Sequence, residues 1–407
     1  MKRRILFVDD EPKLLAGLER LLHPQRNQWE MVFVSGGEVA LAELAKRLFD
    51  VIVTDMGMPG MNGAQLLQHV QERFPQVVRL VLSGHTDAEN ALRAIPVAHQ
   101  FLSKPCSPDV LRNAVDRACN LQALLRRGDL RKIVGEIRGL PSRPEVFSAL
   151  LQAIANPESS LGQLAQIVAG DVSLCAKILQ LVNSAFFGLA RQLSSIQEAV
   201  SYLGINMIKN LALSFKTFQT LDGCRRIPGF SQDALQHHAL LTANIARRLI
   251  TGKRETEDAC AAGMLHDVGK LILATKLPDH LARALELSRS ERRPLHLVEE
   301  ELNGFTHAEL GAYLLGLWGL PYPVVESVAF HHNPEKVEKV NQKSFDVVAA
   351  VHVADSLANE QASAAKGSGA GFEPIPNSYL EALGVADQLP RWREMAAAQN
   401  NISVLVQ

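Results

Sequence analysis

Five polar residues in the N-terminal third stand where predicted strands end. Asp9 and Asp10 close the first strand, Asp55 closes the third, and Ser83 and Lys104 close the fourth and fifth. The carboxyl ends of parallel strands meet at one edge of a sheet, so we expect these side chains to lie together. Neighbouring carboxylates need a cation among them, and hard oxygen ligands suit Mg²⁺. Asp55 could then attack a phosphoryl group whose oxygens Lys104 and Ser83 bind.

A second set of metal-type ligands lies in predicted helices of the C-terminal half. Facing helices can bring such groups together, and mixed imidazole and carboxylate ligands suit Fe, Mn, Zn or Ni. A bridged metal pair could activate water for phosphodiester hydrolysis, with Lys270 neutralising a phosphate. Each histidine could equally be a core or capping residue, and His237, His296 and His352 lie nearby outside the pattern. The set is His238, His266, Asp267, His307, His331, His332 and Asp355.

The first set requires a particular fold over residues 1–106. Short apolar runs rich in Ile, Val and Phe alternate there with stretches of helical period, which predicts a five-stranded parallel sheet with helices on both faces. The runs are ILFVDD, WEMVFVSG, FDVIVTD, VVRLVLSG and HQFLSKP, and the helical stretches are 12–23, 37–47, 63–73 and 87–94.

A further helix from about Ser107 carries a heptad-like stripe. The stripe can pack on the sheet, which we favour because it is short, or form a signalling helix or dimer seam. Its members are Leu111, Ala114, Ala118, Leu121 and Leu125.

From about residue 129 to 360 the chain shows helical period without strand alternation, which predicts an all-α region. Residues 194–215 imitate a helix-turn-helix, but the second helix is mainly apolar, so we expect no DNA contact. The predicted organisation is an α/β domain at 1–125, a linker helix at 126–138, a helical domain at 139–340 and a flexible loop and tail at 361–407. The helical part has halves at 139–220 and 231–360.

Composition narrows the function classes. The chain has 407 residues and a formal net charge of −1, which does not favour non-specific binding to nucleic acid. The five cysteines are scattered, so we expect reduced thiols. We find neither a secretory core nor an apolar run of membrane-spanning length, and we therefore expect a cytoplasmic protein without membrane insertion.

Residues 4–120 resemble the receiver domain of two-component response regulators, a flavodoxin-like fold. The matching strings are ILFVDDEP, VIVTDMGMPGMNG, LVLSGHTD and FLSKPCS. The resemblance implies that Asp9, Asp10 and the backbone carbonyl of Gly57 hold Mg²⁺ and that Asp55 accepts phosphate from a sensor histidine kinase.

The same resemblance implies how the phosphoryl group acts. Ser83 and Phe101 would form the switch pair and Lys104 would bind phosphate, with the following Lys104–Pro105 bond often cis. Phosphorylation adds nearly two negative charges, so Ser83 moves toward them and Phe101 can swing inward. A pre-existing equilibrium is thereby biased.

Residues from about 129 to 340 resemble an HDOD output domain, a relative of HD phosphohydrolases. The matching strings include GLPSRPEVFSALL, GDVSLCAKILQLVNSAFFGL, AGMLHDVGKLIL and VAFHHNPE. The resemblance implies an output that binds other signalling proteins without catalysis. The HD-type residues are also similar to those of HD-GYP cyclic-di-GMP phosphodiesterases, although the Gly-Tyr-Pro segment is replaced by Asn333-Pro334-Glu335-Lys336.

The sequence leaves three candidate functions for the chain. We favour a phosphorylation-controlled signalling switch that acts by protein contact, with a homodimer among the expected assemblies. The alternatives are a receiver-gated, metal-dependent phosphodiesterase acting on a cyclic dinucleotide and a protein that binds such a nucleotide without hydrolysing it.

Overall fold

The computed structural model describes residues 2–83, 97–124, 128–137, 140–156, 158–184, 189, 191–214, 227–337, 345–366 and 374–404. The chain divides into two compact units. The first contains Met1–Gly139, Gln180–Gln192 and Tyr313–Leu320, and the second contains Leu140–Leu179, Leu193–Ala312 and Pro321–Gln407. The domain boundaries predicted above stay predictions.

A five-stranded parallel sheet lies at the centre of the first unit, with the strand order β2-β1-β3-β4-β5. The central strand β3 is buried at every position, as expected of a sheet covered on both faces. This order places the ends of β1 and β3 side by side. The strands are β1 (Arg3–Val8), β2 (Trp29–Val34), β3 (Val51–Asp55), β4 (Val78–Ser83) and β5 (Gln100–Ser103).

Helices flank this sheet, which confirms the predicted α/β fold. They are α1 (Pro12–Leu22), α2 (Gly37–Lys46), α3 (Gly63–Arg73) and α4 (Pro108–Leu124), with a 3₁₀ turn at His23–Asn27. Asn62 and Gln65 form a capping box that starts α3. Leu111, Ala114 and Ala118 of α4 are buried, and α4 contacts α1 and β3, which favours sheet packing for the heptad-like stripe. The helix predicted at 87–94 lies outside the described residues.

The linker helix α5 (Gly128–Gly135) is held to the sheet by a buried arginine. The guanidinium of Arg79 on β4 donates to the carbonyl oxygens of Val97, at 2.5 Å, and Gly135, at 2.7 Å. Charged donors on carbonyl acceptors make strong hydrogen bonds in a buried setting, so the end of α5 is fixed to this part of the first unit.

The rest of the described chain is helical, which confirms the all-α prediction. The helices are α6 (Pro144–Ala155), α7 (Leu161–Ala169), α8 (Val172–Val182), α9 (Ile196–Ser214), α10 (Gln232–Leu249), α11 (Lys253–Leu265), α12 (Val268–Lys276), α13 (Pro278–Glu291), α14 (Leu295–Asn303), α15 (His307–Leu317), α16 (Tyr322–Phe330), α17 (Val347–Lys366), α18 (Asn377–Ala382) and α19 (Leu389–Val404). Short 3₁₀ turns lie at Pro334–Lys336 and Ala386–Gln388.

The stretch that imitates a helix-turn-helix is α9. Its backbone leaves helical geometry at Gly204, where φ is 72°, so two helical segments meet at a kink. Ala199, Val200 and Ile208 on these segments are buried, in keeping with a core role.

The structure differs from the expectation of a flexible tail over residues 361–407. Helix α17 continues to Lys366, and α18 and α19 follow. Leu380, Trp392 and Ala396 are buried, so tertiary packing stabilises short helices whose sequence signal is weak. Among the described residues, no helix combines the length and apolar character that crossing a membrane requires.

Candidate functional sites

The acidic site of the first unit is formed by residues that follow neighbouring strands. Asp9 and Asp55 are buried, with 2% and 9% of their surfaces exposed. The ammonium of Lys104, just after β5, lies 2.8 Å from Asp9 Oδ2 and 2.5 Å from Asp55 Oδ1. The backbone N–H of Gly57 donates to Asp55 Oδ2 at 2.8 Å. The sheet therefore brings two of the three predicted carboxylates to a single cation.

Lys104 is the electrostatic centre of this site. Burial lowers the pKa of its ammonium, but the hydrogen bonds and Coulomb attraction of Asp55 and Asp9 outweigh burial, and the net shift is upward. Lys104 is therefore charged at neutral pH and offsets the repulsion between the two carboxylates. Carboxylate oxygens are hard ligands of the type that Mg²⁺ selects.

The remaining predicted residues of this site are less completely described. Asp10 is exposed next to Asp9, and Phe101 on β5 is buried. Ser83 ends β4 opposite Ser103, but its side chain lies outside the described residues. The Lys104–Pro105 bond is cis, as the resemblance implied.

The second site is assembled from helix ends in the second unit. His266 and Asp267 lie between α11 and α12, His307 begins α15, and His331 and His332 follow α16. Helices α10 and α17 supply the other two predicted ligands, His238 and Asp355.

Close packing of α12 against the start of α15 depends on a glycine. A Cβ at Gly269 would overlap the carbonyl oxygen of His307, so a larger residue there would separate the two helix starts. The glycine thereby permits the approach of Asp267 and His307.

The ligand atoms of all seven predicted residues face one another. His238 Nε2 lies 2.9 Å from Asp355 Oδ1 and 3.2 Å from His266 Nε2. His307 Nε2 lies 3.2 Å from Asp267 Oδ1 and 3.0 Å from His332 Nε2. Three groups of three residues each place their ligand atoms within 4.8 Å of one another. They are His307, His331 and His332; His238, His266 and Asp355; and His266, Asp267 and His331.

Two buried ligand atoms of this cluster lack the hydrogen bonds that buried polar atoms normally make. Asp267 Oδ1 and His331 Nε2 are buried and make no hydrogen bond. Leaving such atoms unpaired costs about 1–3 kcal/mol each, and a metal ion would supply the missing partner. Neighbouring Nε2 atoms and carboxylate oxygens within 4.8 Å of one another also fit a shared cation. The donor set is therefore suited to Fe, Mn, Zn or Ni.

Backbone carbonyl oxygens fix the orientation of two of the histidine rings. His266 Nδ1 lies 2.7 Å from Gly263 O, and His331 Nδ1 lies 2.9 Å from Val328 O. Carbonyl oxygens accept only, so each Nδ1 carries a proton and donates it. When such a ring is neutral, its Nε2 has the lone pair that a metal needs.

Opposite charges hold both aspartates of the cluster ionised. Burial alone would raise the pKa of Asp267, but Lys270 and His266 hold it well below its usual range. Burial is likewise outweighed at Asp355, where the hydrogen bond from His238 and the nearby imidazole of His266 keep the pKa well below its usual range. Lys270 Nζ lies 2.6 Å from Asp267 Oδ2.

The histidines divide into two kinds. Burial and neighbouring imidazoles hold the pKa values of His331 and His332 well below their usual range. Burial also lowers the pKa of His307, but Glu299 overcomes this and raises it to about 9. His331 and His332 are thus neutral at pH 7, which is the form that binds metal.

A cavity of about 650 Å³ opens beside the cluster. Lys270, His307, His332 and Asp355 line it together with residues of the C-terminal segment such as Tyr379. This volume suits a small ligand, and the cluster provides its polar wall.

Sequence reasoning missed two residues of this site. His296 was placed outside the pattern, but its ring stacks on His332 with centroids 4.1 Å apart, and it lines the cavity. Glu299 is fully buried and contacts His307 at 2.6 Å. Glu299 lies in the run Glu299–Glu301, which resembles an ordinary solvated helix face, so no local signal identified it.

Two protein-family models match separate parts of the chain. The family model for the response regulator receiver domain matches residues 5–116, and the model for the HDOD domain matches residues 140–334. The chain therefore combines a response regulator receiver domain with an HDOD domain.

Individual relatives match parts of the chain. An uncharacterized protein of Treponema pallidum is 30% identical over 49% of this chain and 39% of its own length. The hydrogenase transcriptional regulatory protein HoxA of Cupriavidus necator is 34% identical over 38% of this chain and 31% of its own length. The chain thus spans less than two thirds of these curated relatives.

Among solved structures, the MmoQ response regulator of Methylococcus capsulatus is 22% identical, with a TM-score of 0.49 over 63% of this chain and 98% of its own. A signal receiver domain of an HD domain-containing protein from Pseudomonas fluorescens is 29% identical, with a TM-score of 0.29 over 30% of this chain and 98% of its own.

Proposed function

We propose that the chain is a phosphorylation-controlled signalling switch whose acceptor is Asp55. The observation that carries this proposal is the convergence of Asp9, Asp55 and Lys104 at the carboxyl edge of the sheet. Receiver domains generally bind Mg²⁺ for phosphorylation. In this chain the metal would be held by Asp9, Asp10, Asp55 and the carbonyl of Gly57, and would shield the charge of the incoming phosphoryl group.

The chain's own residues would divide the work of phosphoryl transfer. An oxygen of Asp55 forms a bond to phosphorus as the bond to the imidazole nitrogen of a sensor kinase phosphohistidine breaks. Lys104, already 2.5 Å from Asp55, would pair with a phosphoryl oxygen. Ser83 would donate to another oxygen, and Phe101 would change its packing in response.

Mass spectrometry of the intact chain tests this proposal. Incubation with acetyl phosphate and Mg²⁺ should add one phosphoryl group to the wild type and to Asp109→Asn, a control at an exposed acid on α4. The Asp55→Asn variant should gain none. An adduct retained in Asp55→Asn would refute the assigned acceptor.

For the output, we propose that the HDOD domain binds other signalling proteins, including a second copy of this chain. Phosphorylation at Asp55 would shift which surface is available. Hydrogen exchange with and without acetyl phosphate should show changed protection in α6–α17 of the wild type and none in Asp55→Asn. Unchanged protection in both proteins would show that phosphorylation at Asp55 does not act on the HDOD domain.

A second candidate function is metal-dependent phosphodiester hydrolysis at the histidine cluster. It is favoured by the unpaired buried atoms Asp267 Oδ1 and His331 Nε2, and by the cavity beside them. The cluster's residues would hold one or two transition-metal ions, which would activate water when bound. Lys270, on the cavity wall, would offset the charge of a phosphate.

Metal analysis combined with a cyclic dinucleotide hydrolysis assay tests the second candidate. Bound metal with turnover that Asp267→Ala abolishes would support the enzyme. Nucleotide binding without turnover would support the non-hydrolysing alternative. A protein that contains no metal but responds to phosphorylation would favour the protein-binding output alone.

A further inference from the structure

Histidine orientation in the cluster depends on a carboxylate behind His307. We propose that Glu299 is a positioning residue that holds the His307 ring with Nδ1 protonated and Nε2 directed into the cluster. The inference rests on metal binding at the cluster, the second candidate function above. It concerns a residue that would touch neither the metal nor a substrate.

Glu299 contacts His307 at two points through the same oxygen. Its Oε2 accepts from His307 Nδ1 at 2.6 Å and from the backbone N–H of His307 at 2.9 Å. The carboxylate is fully buried on α14. A ring held through Nδ1 while its backbone is held by the same oxygen has little freedom to turn. Its Nε2 is thereby kept 3.2 Å from Asp267 Oδ1.

The position of His307 in its helix explains why a side chain is needed. His266 and His331 follow α11 and α16, where the last carbonyls of a helix lack partners and accept from Nδ1. His307 instead begins α15, so no preceding turn of that helix can offer a carbonyl. Glu299 supplies from α14 the acceptor that helix geometry supplies to the other two rings.

Helix α15 has a capping box of its own, so capping requires Glu299 only for the backbone N–H of His307. Thr306 Oγ1 already accepts from the backbone N–H of Glu309 at 3.3 Å, and Glu309 Oε2 accepts from that of Thr306 at 2.9 Å. These reciprocal bonds are a capping box. Burying the Glu299 carboxylate is costly, and its second oxygen, Oε1, makes no hydrogen bond. A carboxyl group kept there is better explained by its effect on the imidazole, since a carboxylate behind a ligating ring fixes the ring's orientation and raises ligand basicity.

The test uses the full chain labelled with ¹⁵N-histidine and freed of metal. Long-range ¹H–¹⁵N spectra report the tautomer of His307, which a His307→Asn spectrum assigns, and calorimetry measures Zn²⁺ affinity. The variants are Glu299→Ala, Glu299→Gln and the control Glu300→Gln at an exposed neighbour. The glutamine variant preserves size and an acceptor oxygen, so it keeps the test valid if the alanine variant does not fold.

We expect Nδ1 of His307 to carry a proton in the wild type and in Glu300→Gln, and to lose it in part in Glu299→Ala, where the neutral ring can place its proton on Nε2 instead. Zn²⁺ affinity should fall about 10–100-fold in Glu299→Ala and by a smaller factor in Glu299→Gln, as for other residues behind metal ligands. An unchanged tautomer together with unchanged affinity in both Glu299 variants would overturn the proposal.

The failure of metal binding itself would look different. If the wild type binds no Zn²⁺, the second candidate function fails, and the tautomer alone decides the role of Glu299. A single Nδ1-protonated form that is lost in the Glu299 variants would still support the positioning role. A mixture of tautomers in the wild type would overturn it.

Discussion

The two polar clusters balance their charges in different ways. In the receiver domain a lysine bridges two carboxylates, and both Lys104 and Asp55 retain some exposure to solvent. In the HDOD domain imidazoles converge on buried aspartates, and Asp267 Oδ1 and His331 Nε2 remain without hydrogen bonds. The first arrangement is balanced by its own lysine and can admit a cation transiently. In the second, a cation would supply the partner that these buried atoms lack, so we predict a retained metal there.

The largest expected effect is that a variant at either site loses the function of that site and keeps the function of the other. Asp267→Ala should lower Zn²⁺ affinity by more than about 100-fold. Loss of a direct ligand should weaken binding more than loss of a residue that only hydrogen-bonds to a ligand. The same variant should still accept a phosphoryl group from acetyl phosphate. Asp55→Asn should keep the Zn²⁺ affinity of the wild type and accept no phosphoryl group. Calorimetry and intact-mass measurements on both variants check this, and a shared loss in either one would show that the clusters are not independent.

Thermal unfolding measures whether Zn²⁺ stabilises the chain through the histidine cluster alone. A metal that binds only the folded state stabilises it by about 2.7 kcal/mol at a free concentration 100 times its dissociation constant. Zn²⁺ should therefore raise the Tm of the wild type and of Asp55→Asn, but not that of Asp267→Ala. Equal shifts in all three proteins would point to zinc binding elsewhere.

The pH dependence of stability should come mainly from the histidine cluster. Burial lowers the pKa of His296 to about 4 from an ordinary value of 6.5, and lowers those of His331 and His332 as well. The unfolded chain therefore takes up protons first, so the free energy of unfolding of the metal-free protein should fall as the pH drops below 6.5. Each such proton contributes about 1.4 kcal/mol per pH unit.

Denaturant unfolding between pH 7 and 5 measures that fall. His296→Gln should make it shallower, whereas His69→Gln, at an exposed histidine of the receiver domain, should leave it unchanged. An equal slope in wild type and His296→Gln would contradict the burial argument.

The smallest effect concerns Lys104. Lys104→Met should lower the free energy of unfolding by about 1 kcal/mol without Mg²⁺, less than for a fully buried pair because the side chain is partly exposed. Millimolar Mg²⁺ should restore most of this loss by replacing the ammonium between Asp9 and Asp55. Lys46→Met, which removes an exposed ion pair with Glu43, is the control. A loss that Mg²⁺ does not repair would argue against a metal site there.

Sequence reasoning succeeded where local patterns determine position. The receiver site follows from strand ends, because parallel strands bring Asp9, Asp55 and Lys104 to one edge whatever the details of packing. The adjacent His266-Asp267 and His331-His332 pairs were also visible, since each lies at a helix end.

Sequence reasoning failed where tertiary packing decides. Glu299 belongs to an acidic run, and only the contact between α14 and the start of α15 shows that it is buried while Glu300 is exposed. Helices α18 and α19 were missed because burial of Leu380 and Trp392, rather than a strong amphipathic pattern, stabilises them.

The metal content of the purified chain is the most direct test of the contrast between the two clusters. The wild type, Asp9→Asn and Asp267→Ala would be dialysed without chelator or added metal and measured by inductively coupled plasma mass spectrometry. We predict retained Fe, Mn, Zn or Ni in the wild type and in Asp9→Asn, none in Asp267→Ala, and no retained Mg²⁺ in any of the three. A wild type without transition metal, or an Asp267→Ala variant with the same content, would contradict the account.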